Sequence, residues 1–236
     1  MSRLGNTCCV NGKDVYDSFN ADLKTFKPTA GTITADFSQI LNASKLHISS
    51  YKLNVSGVVL TFYVEGASRD ECFINTSNLI AECKSCVLTT GGDAFEYVAV
   101  LTSYKMEETG VDFFNELELT FGVIKRLPTV MHEFPPGTQS MSFNNIGNVT
   151  SGAKIIVTPV IDLGELRVND ITIRNLVANY PFIIDGIAGE VKCNGINRFL
   201  DTDMIEFPKV FQGENTILLS NPSAKIEVYF NPTFII

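Results

Sequence analysis

Apolar positions along this chain recur mostly every second residue, which is the spacing of a half-buried β-strand. The run Gly57-Val58-Val59-Leu60-Thr61-Phe62-Tyr63-Val64 is dense in β-branched and aromatic side chains that suit a pleated surface, and it predicts a core strand at the end of an alternating stretch that begins near Ala30. Two further strands are predicted over Phe95 to Tyr104 and Leu117 to Gly122. One segment follows a different period: Cys72, Phe73, Thr76, Leu79, Ile80 and Cys83 stand three and four residues apart, behind a Ser68/Glu71 pair with capping-box spacing. This predicts a single helix near 68–83 with those six residues on one face, packed on a sheet.

Between Leu127 and Gly152 the apolar pattern is interrupted by Pro128, Pro135-Pro136-Gly137, Gly147 and Gly152, which places a domain boundary near Pro136. Beyond Ala153 the pattern is short strands only: Lys154 to Val160, Glu165 to Val168, Ile171 to Ile173, Phe182 to Ile184, Thr216 to Ser220 and Lys225 to Phe230. Asn169-Asp170 reads as a hairpin turn, and Asp185-Gly186 and Asn194-Gly195 as tight turns that need positive φ. The expected architecture is mainly β. It comprises two β-sandwich-like domains, 1–136 with the one α-helix and 137–236 with sandwich or jelly-roll spacing.

Charge narrows the function. Twenty-six acidic against 18 basic residues give a net charge of -8, which disfavours binding to nucleic-acid phosphates or anionic membrane surfaces. The opening Met1-Ser2-Arg3-Leu4-Gly5-Asn6 lacks the apolar core of a signal peptide, and no apolar run approaches a bilayer span, so a soluble chain is expected. On that reading the four sequons at Asn42, Asn54, Asn75 and Asn148 are incidental, and the six cysteines are expected as free thiols that pack like small apolar residues.

Candidate chemistry is sparse. His47 and His132 lie beside no residue that would make either a base or a metal ligand. Cys83-Lys84-Ser85-Cys86 has C-x-x-C spacing, but a closed zinc site needs four ligands and the adjacent pair Cys8-Cys9 is poorly suited to supply two of them. The motif also closes the predicted helix, whereas a redox pair would open one. Asp201-Thr202-Asp203 hints at calcium, yet Glu206 occupies the sixth position, where the calcium loop needs Gly. Gly12-Lys13 is followed by Asp14 in place of the Ser or Thr of a phosphate loop. No catalytic, metal or cofactor residue is therefore assigned, and no cofactor is expected. Tyr180, Phe199 and Phe211 are the aromatic residues available to a sugar site, which keeps a monomeric carbohydrate-binding module as the alternative function. A thiol- or metal-dependent enzyme built on Cys83 and Cys86 is a more distant one.

The order of features resembles a known family. The carriers are the capped helix from Arg69 to Cys83, the run Val100 to Thr109, and Leu117-Glu118-Leu119-Thr120-Phe121. In the second half they are Asn145-Ile146-Gly147-Asn148 before a Pro-containing strand, Ile184-Asp185-Gly186, and Glu206-Phe207-Pro208-Lys209 with Gly213-Glu214-Asn215-Thr216-Ile217. In these the chain resembles the distal tail proteins of long-tailed, siphovirus-type bacteriophages. The resemblance implies a non-enzymatic virion component at the tail tip or baseplate, synthesised in the host cytoplasm. It implies a ring-forming N-terminal β-sandwich, assembled as a homo-hexamer between tail tube protein and the tail-associated tip protein, and a peripheral galectin-like C-terminal domain that supports receptor-binding protein. DNA would pass through the lumen without specific binding, and no membrane insertion is implied. The large insertions that some relatives carry in the second domain are missing, which favours a scaffold over direct host attachment.

Overall fold

The computed structural model describes residues 7–31, 33–39, 46–53, 56–109 and 113–235, with the side chains of 33–53 and of Glu108 outside that description. The chain divides into two units, Met1–Arg126 with Ile235–Ile236, and Leu127–Phe234. The break lies ahead of the boundary expected near Pro136, because Val130–Phe134 forms a strand whose whole length pairs with a strand near the C-terminus, from Val130 opposite Phe230 to Phe134 opposite Ile226. Pro135-Pro136-Gly137 is thus a turn inside the second unit, where Gly137 takes φ +95 and its N–H donates to the Pro222 carbonyl.

The first unit contains β1 (Cys8–Val10), β2 (Lys13–Asp14), α1 (Val15–Phe19), β3 (Ala21–Thr29), β4 (Ile33–Gln39), β5 (Leu46–Leu53), β6 (Ser56–Glu65), α2 (Arg69–Glu82), β7 (Ser85–Thr90), β8 (Glu96–Glu108) and β9 (Phe114–Arg126). One antiparallel ladder runs in the order β2-β1-β7-β8-β9-β6-β3, and β4 pairs with β5 in a separate ribbon. Strict alternation selects the buried face. Val58, Leu60, Phe62 and Val64 of β6 are fully buried, and opposite them Leu117, Leu119 and Phe121 of β9 are buried too. Because side chains on a strand alternate between faces, the other side of this pair carries Val59, Thr61, Tyr63, Glu116, Glu118 and Thr120.

Helix α2 lies where the sequence predicts it. The Ser68 hydroxyl accepts from the Glu71 N–H at 3.2 Å while the Glu71 carboxylate accepts from the Ala67 N–H at 2.9 Å, so two N-terminal donors are satisfied. Cys72, Thr76, Leu79 and Cys83 are buried as expected, but Phe73 is 61% exposed and Ile80 only partly covered, so the apolar stripe is wider than the face the sheet covers. The unit also holds a second helix that the sequence pattern does not announce. In α1 the Asp14 carboxylate caps the N–H groups of Tyr16 and Asp17, and Asn20 in the left-handed conformation ends the helix after five residues, too few to show a 3.6-residue period.

The second unit contains β10 (Val130–Phe134), β11 (Ser140–Asn145), β12 (Ser151–Pro159), β13 (Leu163–Val168), β14 (Ile171–Leu176), β15 (Phe182–Asp185), β16 (Glu190–Cys193), β17 (Ile196–Asn197), β18 (Thr202–Asp203), β19 (Lys209–Val210), β20 (Gly213–Leu218) and β21 (Ala224–Phe230). The main sheet follows β10-β21-β12-β15-β16-β17, with β19 also paired to β12. The smaller ladders are β11-β20 and β13-β14-β18. All share one core, to which β12 gives Ala153, Ile155 and Val157 and β21 gives Ile226, Val228 and Phe230.

The turn at Asn169-Asp170 joins β13 to β14 as expected, with Asn169 at φ +51, and Asn194-Gly195 joins β16 to β17 with φ +51 and +74. Asp185-Gly186 works differently. Its positive φ falls on Gly189, while Gly186 is needed because a Cβ there would stand 2.5 Å from the Pro208 carbonyl oxygen and 2.7 Å from that of Ala153. Taken together the fold is mainly β, as the alternation predicts.

The buried β6 row sets the stability of the first unit. Phe62→Ala is expected to lower its unfolding free energy by about 3–5 kcal/mol, against about 1 kcal/mol for the cap variant Ser68→Ala, both measured by chemical denaturation.

Candidate functional site

The residues singled out for chemistry are dispersed by the fold and occupied with structural contacts. His47 lies in β5, where side chains are not described. The His132 ring stacks on Phe143 with centroids 4.7 Å apart and also lies 5.9 Å from Phe230, while its buried Nε2 has no hydrogen-bond partner. Gly12 forms the β1–β2 hairpin turn with Asn11 at φ +78 and +52, and Lys13 pairs with Glu82 at 2.9 Å. Asn11 and then Lys13 hold the Glu82 carboxyl below its ordinary range.

The Asp201 carboxylate pairs with Arg198 and accepts from the Asn175 amide at 2.8 Å. Asp203 meets Arg174 at 2.5 Å, and Glu206 meets Lys209 at 2.7 Å, which lowers the Glu206 pKa. Each of the three carboxylates therefore faces a cation. Among the described residues no set of three His, Cys, Asp or Glu side chains converges as a metal site.

Cys83 and Cys86 are brought together at the junction of α2 and β7, both buried, and the Cys86 thiol also donates to the Cys83 carbonyl at 3.7 Å. Its hydrogen bond to Cys86 and its burial raise the Cys83 pKa, so the pair favours a thiolate on Cys86 over one on Cys83. Cys8 and Cys9 are adjacent on β1 and so point to opposite faces. Cys8 is buried and pushed up to about 12, chiefly by desolvation, whereas Cys9 is half-buried.

Two features that no local motif signals remain. The first is a pair of open sheet edges. Strand β7 follows β8 only as far as Ser85 opposite Val100, so among the described residues no strand pairs with the outer side of Thr102–Glu108. At the other end of the path no strand pairs with the outer side of β3. The face of this sheet opposite the core carries Lys24, which binds Glu116 at 2.9 Å and lies 4.6 Å from the centre of the Tyr63 ring, and the ion pair Lys105–Glu107.

The second is a cavity of about 640 Å³ in the second unit, open to solvent between the β13–β14 turn, β20 and the loop before β19. Its floor is Phe143, Ile155, Ile217 and Val228, and Phe211 stands at its mouth. Of the three aromatic residues considered for sugar binding, Tyr180 and Phe199 do not line it, and the Phe199 ring lies 6.3 Å from that of Phe207. No helix among the described residues is long and apolar enough to cross a membrane.

No protein-family model matches the chain, and no curated protein sequence matches it. Its fold is nonetheless found among solved structures. The Dit protein (gp 19.1) of phage SPP1, described as a paradigm of the hub adsorption apparatus in phages infecting Gram-positive hosts, aligns over 97% of this chain and 99% of its own with a TM-score of 0.73 and 12% identity. A chain of the phage P2 baseplate in its activated conformation with Ca aligns over 96% and 98% with a TM-score of 0.58 and 9% identity. The corresponding Sr structure gives 0.57 and 9% over 95% and 97%. At such identities the likeness is one of fold, and it spans both units.

Thiol chemistry separates the packed cysteines from the accessible ones. Alkylation of the folded protein is expected to label Cys9 and Cys193 first and Cys8, Cys72 and Cys83 last, because burial disfavours the nucleophilic thiolate at Cys8 and Cys72 and the Cys86 contact disfavours it at Cys83. Peptide mass mapping over time checks the order. His132→Phe is expected to raise stability by about 1 kcal/mol, since it removes a buried nitrogen that has no partner, and thermal unfolding measures it.

Proposed function

We propose that this chain is a structural, non-enzymatic subunit of a siphovirus-type tail tip or baseplate, of the distal tail kind, which assembles through its first unit as a homo-hexameric ring. The observation that carries the reading is the end-to-end fold likeness to SPP1 Dit, which covers both units without a large unmatched segment in either chain. In the virion such a ring would join tail tube protein to the tail-associated tip protein, with the second unit available to support receptor-binding protein.

The open edges supply the means of closure. Along β3-β6-β9-β8 every neighbour is antiparallel, so the two outer strands run in opposite directions. A copy related by rotation about an axis lying along the strands keeps its strand directions, and its β3 therefore meets the open part of β8 antiparallel. With six such rotations completing one turn, repeating that head-to-tail contact closes a ring and removes both edges from solvent.

Helix α2 packs on the core side of β6 and β9, so the opposite face is the one left to line the lumen. It carries the carboxylates of Asp22, Glu65, Glu96, Glu107, Glu116 and Glu118 and the cationic groups of Lys24, Lys27, Lys105 and Arg126. With acids slightly in excess and opposite charges interleaved, the wall offers a passing polyanion no basic track to stick to.

Light scattering over a concentration series tests the assembly. A discrete mass of six chains, or of two such rings, is expected, and hydrogen exchange should show Ala21–Lys27 and Thr102–Glu108 protected in that species. A chain that stays monomeric at every concentration, also with tail tube protein added, would overturn the ring. Rapid exchange along both edges in an assembled species would overturn the proposed contact.

A further inference from the structure

The cavity in the second unit is built against its packing, and this carries an inference independent of ring assembly. Protein cores are filled to crystal-like density, yet here four core side chains, Phe143, Ile155, Ile217 and Val228, face an opening of about 640 Å³. That volume falls within the range of pockets that take ligands. The mouth adds apolar surface where water should select against it: Ile205 is fully exposed and Phe211 is 63% exposed. Both line the same opening, with Phe207 and Pro208 between them in sequence.

The polar rim is acidic. Asp170, Asp203, Glu206 and Glu214 line the cavity, with Lys209 as the only cation among its lining residues. Lys209 is engaged by Glu206, and just outside the lining Arg174 and Arg167 bind Asp203 and Asp170. Glu165 also shares Arg174, at 3.9 Å, so acids still outnumber cations around the mouth.

These features select the occupant. A neutral oligosaccharide would have to bury hydroxyls against a floor whose side chains offer no hydrogen bond, at a cost of about 1–3 kcal/mol for each. An anionic amphiphile would meet a rim of like charge. We infer that the cavity is a docking site for a partner polypeptide that inserts one large apolar side chain and places Lys or Arg residues beside it, opposite the acidic rim. Apolar burial supplies the affinity, and the rim supplies orientation and speed of encounter.

The chain contains no tryptophan, so a tryptophan placed in a peptide reports binding without background. The probes are two short capped peptides with the same central Trp-Leu, one flanked by lysines and one by glutamates. The lysine peptide is expected to show a saturable blue shift in emission, weakened about threefold or more by Glu214→Lys combined with Asp170→Lys at low salt, and weakened again by Phe211→Ser. These side chains are exposed, so the variants should keep the wild-type unfolding temperature, which is measured alongside. No blue shift with the lysine peptide, equal binding of the glutamate peptide, or indifference to the charge reversals would overturn the inference. Displacement of the bound peptide by a neutral oligosaccharide would assign the cavity to sugar instead.

Discussion

The register between β6 and β9 is the constraint on which the first unit depends. It sets Leu60 opposite Leu119 and Phe62 opposite Leu117, all fully buried, so that one face of the pair carries an apolar row through the middle of both strands and the other carries Thr61, Tyr63, Glu116 and Glu118. A slip by one residue would turn the apolar row to water and drive the carboxylates under α2, which makes the register self-enforcing. The helix and the strands beyond it are positioned by that choice. The Cys72 thiol donates to the Val64 carbonyl of β6, and the Asn75 amide donates to that of Glu65, so α2 is tied to the same strand that fixes the sheet.

What could be read in advance followed from how local the determining interactions are. Strands β12 and β21 alternate over most of their length, and each announces itself without reference to its partner. Helix α2 is similarly self-contained, because its cap lies within three residues. Strand β10 is different: Val130–Phe134 is short, flanked by prolines, and becomes a strand only because β21 offers it a partner almost a hundred residues away. The same reason explains Phe73. Its spacing places it beside the buried stripe of α2, but how wide a stripe the sheet can cover is a property of the sheet. The cavity was illegible for a stronger reason, since its floor combines residues from β11, β12, β20 and β21, which share no motif and no spacing.

Fold likeness at 12% identity has a physical basis in the same alternation. A buried strand position asks for an apolar side chain of suitable volume and seldom for one residue type, so the pattern of faces can persist after most residues have changed. The positions that resist exchange are those where the backbone makes an unusual demand. Gly186, pressed between the carbonyls of Pro208 and Ala153, is one, and it belongs to the Ile184-Asp185-Gly186 segment on which the family resemblance partly rests.

An unpaired strand is a hazard unless something covers it, and soluble proteins usually blunt such edges with proline, charge or a bulge. Both edges of the β3-β6-β9-β8 segment carry partial versions of these devices. Strand β3 has a bulge between Leu23 and Thr25 and a proline at Pro28, and β8 alternates Lys105 and Glu107 with Tyr104 and Met106 beyond a bulge after Leu101. These leave usable backbone on each side. Pro28 lacks an N–H, so a strand adding to β3 can pair fully only over Ala21–Lys27, a length comparable to the open stretch Thr102–Glu108 of β8. The protections therefore limit where pairing can occur without abolishing it, which is the arrangement required of a sheet edge reserved for one partner in one register.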